Sequence, residues 1–437
     1  MCVPCVFVQL ATIFVMRFTI AVLLALTTAA VAQKPPGPTE EPEQKSVTVP
    51  IALDHNRIIT DAYLVLPNGT TQRVHAWIDT GNPDLHLSRR LATLLGLAVR
   101  CGEQACASAA PREISIGNMR ISLSTVKEAT IPLKPGAGES FMFPGMSAEI
   151  TIPSSVLRNY DLLINYPGHE LSIAQPGSLK FQGVKQKMLI NATNGLIQIP
   201  SKIENKKYNL ALDLGSSISF LAEEVFDKLA NGHSDWPHMS GAVGPANICG
   251  SDDEVKRRLM RVERLQFGQL YLTNVALAAF EKDETASFEK RAGIATAGLL
   301  GADALLNYRV GLDYAHSTVY FDIGRTFIFP EFDVAGLILR PEVDGKFTIV
   351  GIADYDGNAS IPPGQDGVQV GDHLVAVDGI PVSDSTMGQV WSSLGGEPGK
   401  ERTLGVERSG RQFIVVAKVR RFLREKEDND APTEKPH

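Results

Sequence analysis

The sequence predicts a mainly β chain, with a duplicated core of two pseudo-symmetric lobes followed by a smaller β domain. Three observations lead to this prediction. Short apolar–polar alternations, separated by Gly, Asn and Pro turns, run through most of the chain. Long stretches of the first half match stretches of the second half in the same order. From Gly336 onward the pattern changes to a new set of strands and turns.

The overall composition excludes several classes of protein. The chain has 437 residues, 44% of them hydrophobic and 21% charged, which is typical of two to three globular domains. A net charge of -7 argues against a nucleic-acid partner, because such proteins usually carry a basic excess. The sequence contains no glycine-rich phosphate loop and no His/Cys cluster at zinc spacing.

The N-terminus has the pattern of an export signal. Arg17 is followed by an apolar run, 18–32, that ends in Ala-Val-Ala, which predicts a signal peptide over residues 1–32. A retained anchor is the alternative, since 3–32 is long enough to span a bilayer. Arg17 interrupts that run and favours cleavage. We therefore expect an exported protein, periplasmic, secreted or envelope-associated, with no stable membrane span after cleavage and a flexible leader over 33–47.

Three cysteines remain once this segment is removed. An exported protein meets an oxidising compartment, where Cys101 and Cys106 are spaced to close a small disulfide loop. The third cysteine, Cys249, makes the count odd. The sequence therefore leaves the pairing open.

An internal repeat organises the core. Three stretches of the first half match the second half in order, offset by 134 to 151 residues. The matched pairs are 74–87 with 208–221, 114–121 with 265–272, and 156–166 with 304–314. Each pair has the same succession of apolar strand and turn. The core is thus predicted to contain two copies of one β unit, over 48–178 and 190–330.

The repeat places one Asp-x-Gly motif in each copy. A single motif of this kind is typical of a turn, in which Gly supplies a positive φ angle. Here Asp79 and Asp213 occupy equivalent positions, and a two-fold arrangement brings equivalent loops together. Two adjacent carboxylates share one proton, so one acts as general base on a water while the other donates to a carbonyl. We predict that Asp79 and Asp213 form a catalytic pair that titrates as a unit.

On these motifs the core resembles retropepsin-like aspartic proteases, in the duplicated single-chain form of exported bacterial proteins with a PDZ domain. Residues 79–81 match the family's catalytic loop, and 299–301 match its second motif of two apolar residues and a Gly. The resemblance spans 48–330. It implies two acid-protease lobes, a polypeptide substrate cleaved by Asp79 and Asp213, no metal, no cofactor and a monomer with internal two-fold pseudo-symmetry.

The loops around the two aspartates depart from the family pattern. The supporting residues are Thr80, Gly81, Leu214, Gly215 and Ser216. In the family a Thr in each loop hydrogen-bonds across the axis, but the counterpart of Thr80 is Leu214, which has no hydroxyl. Asn82 replaces a small residue, and Pro153 stands where the second lobe has Gly301. Because catalytic carboxylates need tight placement, two functions remain open: an aspartic endopeptidase, or a degenerate peptide-binding or scaffold module.

Residues 335–422 resemble a PDZ domain, most specifically over 370–379. The resemblance implies a C-terminal peptide ligand that adds a strand to an open sheet edge. The matching binding loop is Gly336, Leu337, Ile338 and Leu339. The domain would present substrate or gate access; a fold used only for packing against the lobes is the alternative.

Three further segments carry expectations. The flap that closes over substrate is expected between residues 97 and 146. The acidic stretch 251–254 predicts a solvent-exposed helix start. The charged tail, 423–437, is expected to be disordered.

Overall fold

The computed structural model describes residues 45–103, 105–132, 147–248, 250, 252–324, 332–342, 344–355, 358–364 and 367–424. The expected signal peptide (1–32), the leader up to residue 44, the tail from residue 425 and Cys249 lie outside these described residues, as do residues 133–146 of the expected flap region. Within the described ranges, no helix is long and apolar enough to cross a membrane.

The first half of the chain forms a β lobe with two short helices, α1 (Arg89–Leu94) and α2 (Ser154–Leu157). Its strands are β1 (Ser46–Pro50), β2 (Ala52–Asp54), β3 (Arg57–Val65), β4 (Thr71–Asp79), β5 (Arg100–Cys101), β6 (Cys106–Ala109), β7 (Glu113–Ile116), β8 (Met119–Ser122), β9 (Glu128–Ile131), β10 (Ile150–Pro153), β11 (Asp161–Asn165) and β12 (Glu170–Ala174). The main sheet has the order β10-β4-β3-β7-β8. Ser88 begins α1, because its side chain accepts a hydrogen bond from the Leu91 amide (3.0 Å).

The second half forms a larger lobe around an eight-stranded sheet of order β14-β15-β16-β21-β17-β20-β19-β18. Its strands are β13 (Val184–Lys187), β14 (Leu189–Ile190), β15 (Ile197–Ile203), β16 (Lys206–Leu212), β17 (Ser219–Ala222), β18 (His238–Ser240), β19 (Arg258–Phe267), β20 (Leu270–Phe280), β21 (Gly298–Leu300), β22 (Tyr308–Asp313) and β23 (Thr318–Ile323). Its helices are α3 (Glu223–Gly232), α4 (Lys282–Ala292) and three 3-10 turns, Gly244–Ala246, Asp252–Lys256 and Ala302–Leu305.

The two lobes repeat the same strand plan. The antiparallel hairpin β3–β4 corresponds to β15–β16, and the parallel pair β4–β10 corresponds to β16–β21. The hairpins β7–β8 and β19–β20 turn at Gly117 and Gly268, whose φ angles of 54° and 52° favour glycine. The prediction of a mainly β, two-lobed fold is confirmed.

A six-stranded sheet of order β1-β12-β11-β22-β23-β13 joins the lobes. Its central pair, β11 and β22, is antiparallel, with Leu163 opposite Gly311. Strands β12 and β1, on one side of this pair, correspond to β23 and β13 on the other side. The pseudo-two-fold axis therefore passes between β11 and β22, and the apolar residues Leu162, Ile164, Val310 and Leu312 are fully buried there.

The C-terminal part of the chain forms a β unit with one helix, α5 (Met387–Leu394). Its strands are β24 (Phe332–Val334), β25 (Leu337–Pro341), β26 (Phe347–Ile352), β27 (Asp354–Tyr355), β28 (Asn358–Ala359), β29 (His373–Val377), β30 (Ile380–Pro381), β31 (Glu401–Arg408), β32 (Arg411–Lys418) and β33 (Arg420–Phe422). The main sheet runs β25-β26-β29-β31-β32. One apolar core contains side chains of this unit, such as Ile338, together with side chains of the second lobe, such as Phe220 and Phe288. The two parts are therefore packed together.

Candidate active site

The two Asp-x-Gly loops leave equivalent strand ends. Strand β4 ends at Asp79, which lies opposite Pro153 in the parallel partner β10. Strand β16 ends one residue before Asp213, whose amide donates to the Leu300 carbonyl (3.0 Å) in the parallel partner β21. Both aspartates are therefore placed by the same strand–strand pairing, once in each lobe.

The loops meet, and glycine permits the close approach. A Cβ atom on Gly81 would overlap the carboxyl group of Asp213. A Cβ atom on Gly215 would lie 2.6 Å from Oδ1 of Asp79. Each aspartate therefore faces the glycine of the opposite loop, and any larger residue at Gly81 or Gly215 would push the loops apart.

Backbone amides hold the two carboxyl groups unequally. Oδ1 of Asp79 accepts one hydrogen bond, from the Gly81 amide (3.1 Å). Oδ1 of Asp213 accepts two, from the amides of Gly215 and Ser216 (3.0 Å each). Hydrogen bonds to a carboxylate stabilise its charged form, so this difference favours the charge on Asp213.

Burial raises the pKa of both groups, and the charge of Asp213 raises that of Asp79 further. Asp79 is buried, and desolvation followed by the charge of Asp213 raises its pKa well above the usual range. Burial raises the pKa of Asp213 to about 6, against the opposing effect of the Gly215 and Ser216 amides. The pair therefore holds one proton over a range of pH, and the additional amide donor on Asp213 favours Asp213 as the charged member.

Thr80 connects the loops across the axis. Its hydroxyl donates to the Leu212 carbonyl (3.1 Å) and accepts from the Leu214 amide (2.9 Å). Leu214, at the equivalent position, is fully buried and has no hydroxyl that could make the corresponding hydrogen bonds to the first loop. One half of a symmetric cross-axis network is therefore built, and apolar packing replaces the other half.

The other two departures from the family pattern have local structural reasons. Asn82 closes a turn in which its Oδ1 accepts from the Asp84 amide (3.1 Å), and its carbonyl accepts from the Ser154 amide (2.9 Å). Pro153 ends β10 and precedes α2 in an extended conformation that proline adopts readily. In the second lobe, a Cβ atom on Gly301 would overlap the Ile218 carbonyl.

Sequence reasoning missed a buried cation whose charge acts on the pair. Arg57 is 2% exposed and its guanidinium lies 5.7 Å from the Trp77 ring centroid. The positive charges of Arg291 and, second, of Arg57 lower the pKa of both Asp79 and Asp213, opposing the effect of burial. In the sequence Arg57 is only the first residue of a strand, and no pattern singles it out.

A third buried carboxyl group, also missed, lies in the second lobe. Asp303 is 4% exposed and accepts a hydrogen bond from the Ser219 hydroxyl (2.7 Å), which itself accepts from the Gly301 amide (2.9 Å). Burial raises the pKa of Asp303 to about 7. Burial raises the pKa of Tyr166, a residue of the inter-lobe region, and the charges of Asp213 and then Asp303 raise it further. Asp303 therefore belongs to the buried polar surroundings of the second loop.

The predicted peptide-binding loop of the C-terminal unit is buried. Leu337, Ile338 and Leu339 are fully buried. The Leu337 amide donates to the Ala335 carbonyl (2.9 Å), and the Leu339 amide donates to Oδ1 of Asn247 (2.8 Å). Two amides that a ligand would need already have partners within the chain.

The remaining predicted features are distributed as follows. Cys101 and Cys106 form a disulfide bond between the paired strands β5 and β6 of the small sheet β5-β6-β9, which occupies part of the expected flap region. Among the residues that the structure describes, no group of three His, Cys, Asp or Glu side chains is placed to hold a metal ion.

Of the three comparisons with known proteins, the one with solved structures found a likeness. No protein-family model and no curated protein sequence matches the chain. Among solved structures, the chain is similar to the aspartic proteinase from Irpex lacteus at 11% identity, with a TM-score of 0.38. That match covers 64% of this chain and 98% of the other.

Proposed function

We propose that this chain is an exported aspartic endopeptidase of the retropepsin-like type, built as two lobes in one chain with a PDZ-like unit at its C-terminus. The observation that carries the proposal is the meeting of two buried Asp-x-Gly loops, with Asp79 and Asp213 each facing the opposite glycine. The cross-axis hydrogen bonds of Thr80 add support, because they hold both loops in one arrangement.

In the proposed reaction, the carboxylate of Asp213 takes a proton from a water whose oxygen attacks the peptide carbonyl carbon. The proton on Asp79 moves to the carbonyl oxygen, and a tetrahedral diol forms. Asp213 then gives its proton to the leaving nitrogen, the C–N bond breaks, and Asp79 recovers a proton from one diol hydroxyl. The pair ends in its starting state, and no covalent intermediate forms.

The raised pKa values predict where this reaction works. Below about pH 6 Asp213 becomes protonated, and the pair loses its base. Above the raised pKa of Asp79 the pair loses its acid. We expect a bell-shaped rate profile whose acid limb lies near pH 6, measured as kcat/KM from pH 3 to 9.

The decisive experiment is cleavage of a broad peptide library by the chain without its first 32 residues, beside Asp79→Asn and Asp213→Asn variants. Exposed Asp235→Asn is the matched control. We expect cuts that disappear in both dyad variants and remain in the control. Cleavage by Asp79→Asn at the wild-type rate would refute the proposal. Because both aspartates belong to one chain, the rate should rise linearly with protein concentration.

Leu214 favours a second candidate, a peptide-binding module that does not cut. A buried apolar side chain replaces the second cross-axis hydroxyl, so the loops have less polar support than a symmetric pair would have. If a folded protein cuts no peptide between pH 3 and 9 but binds extended peptides, this candidate replaces the first. Leu214→Thr is then the first variant to test for recovered cleavage.

A further inference from the structure

The open edge of the C-terminal sheet is covered by the second lobe. Among the described strands, β25 pairs only with β26, yet Leu337, Ile338 and Leu339 are fully buried. The covering residues belong to the loop of the second lobe that connects β18 to β19. The Leu339 amide donates to Oδ1 of Asn247 (2.8 Å), and a Cβ atom on Gly250 would lie 2.6 Å from the Arg340 Cα atom.

A buried carboxylate gives this loop its shape. Glu254 is fully buried and accepts from the amides of Ile248 and Gly250 (2.8 Å each) and from the side-chain amide of Asn247. The Ala242 amide donates to the Glu254 carbonyl (2.8 Å). Asn247 is therefore bonded on one side to Glu254 and on the other to β25, which leaves it little freedom to move.

The other end of the loop touches the active-site loop. The Ser217 hydroxyl, four residues after Asp213, donates to the Pro245 carbonyl (3.2 Å). The side-chain amide of Asn56 donates to the Ser217 carbonyl (3.0 Å). Segment 244–247 thus spans from β25 of the C-terminal unit to the loop that carries Asp213.

A second contact reaches the same place from helix α5. The Thr386 hydroxyl, at the N-terminus of α5, donates to Oδ1 of Asp54 (2.8 Å). Asp54 and Asn56 lie two residues apart, at the turn between β2 and β3. The turn that bonds to Ser217 is therefore held by the C-terminal unit as well.

We propose that the C-terminal unit positions the Asp213 loop, and that Asn247 is the positioning residue that transmits this through segment 244–247. The covered edge of β25 then serves as an intramolecular anchor, filled by the chain's own second lobe. The inference rests on the proposed proteolytic function for its kinetic readout only. A shift of about 1 Å in a reacting group costs about 100-fold in rate, so a slackened Asp213 loop lowers kcat.

The test compares Asn247→Leu, Ser217→Ala and the exposed control Asn358→Leu in the chain without its first 32 residues. Cleavage gives kcat, KM and the pH profile, and hydrogen exchange reports on the amides of Leu214 to Ser217. We expect Asn247→Leu to lower kcat about 10- to 100-fold with KM nearly unchanged, to shift the acid limb of the profile, and to speed exchange in the Asp213 loop. Ser217→Ala should change the same quantities in the same direction. The control, Asn358→Leu, should change none of them.

The double variant Asn247→Leu with Ser217→Ala gives a second test of the same connection. Because Asn247 and Ser217 lie on one connection, the double variant should lose little more than the worse single variant. Ser217→Ala leaves the contact between Asn247 and β25 intact, so it keeps the test decisive if Asn247→Leu does not fold. Wild-type kcat, pH profile and loop exchange in folded variants would overturn the inference and leave the proposed protease intact. A protein that cuts nothing would refute the protease, while the exchange rates would still decide this inference.

Discussion

The buried carboxyl group of Asp303 contributes more to the stability of the fold in acid than at neutral pH. Burial raises its pKa from 3.8 to about 7. Between these values the folded chain keeps the proton, whereas the unfolded chain releases it. Folding stability from this group is therefore full below about pH 4 and declines as pH rises through 7. The difference between these two pKa values corresponds to about 4 kcal/mol.

Asp303→Asn removes this titration and keeps an acceptor for the Ser219 hydroxyl. For a folded unit from Lys45 to Arg424, unfolding entropy is about 0.8 kcal/mol per kelvin, so about 4 kcal/mol corresponds to about 5 °C in Tm. We expect the Tm of the wild type to fall between pH 4 and pH 8 by about 5 °C more than that of the variant. The raised pKa values of Asp79 and Asp213 affect both proteins and cancel in the comparison.

Thermal unfolding followed by circular dichroism at pH 4, 5, 6, 7 and 8 measures this difference. Exposed Asp235→Asn serves as the control and should follow the wild type at every pH. An equal fall in Tm for the wild type and Asp303→Asn would refute the reasoning, because it would show that Asp303 ionises alike in the folded and unfolded chains.

Three further changes test the site itself. Thr80→Val keeps the shape of the side chain but removes both cross-axis hydrogen bonds. We expect the free energy of unfolding, measured with denaturant, to fall by about 2 kcal/mol and kcat to fall at least 10-fold, and Thr80→Ser to recover both. Gly81→Ala adds a methyl group where the Asp213 carboxyl lies, so cleavage should be lost, and activity near the wild-type level would contradict the observed approach of the loops. Arg57→Gln removes a positive charge that lowers both dyad pKa values, so the whole kcat/KM profile should move to higher pH, whereas Arg57→Lys should leave it nearly in place.

Much of the core could be predicted from local pattern. Strand alternation and turn glycines depend on short stretches of chain, so the hairpins of both lobes can be recognised without tertiary information. Gly117 and Gly268 illustrate this, because each is a turn residue with positive φ at equivalent points of the repeat. The repeat itself predicted that Asp79 and Asp213 lie on equivalent loops.

Long-range contacts escaped the same reasoning. The acidic stretch 251–254 was predicted to begin a solvent-exposed helix, and this was wrong for Glu254, which is fully buried and accepts three hydrogen bonds. In sequence, an acidic stretch that begins a helix looks the same as one that contains a buried carboxylate accepting several hydrogen bonds. They differ only in whether distant segments, here β25, cover the loop.

The sequence by itself determined the repeated strand–turn units, the two Asp-x-Gly motifs and the absence of a second hydroxyl at Leu214, because each is a property of neighbouring residues. Only the tertiary structure decided that the Thr80 hydroxyl reaches the opposite loop, that the buried charge of Arg57 acts on both aspartates, and that segment 244–247 joins the Asp213 loop to the C-terminal sheet. Burial and electrostatic coupling depend on which distant segments exclude water, and no short stretch of sequence carries that information.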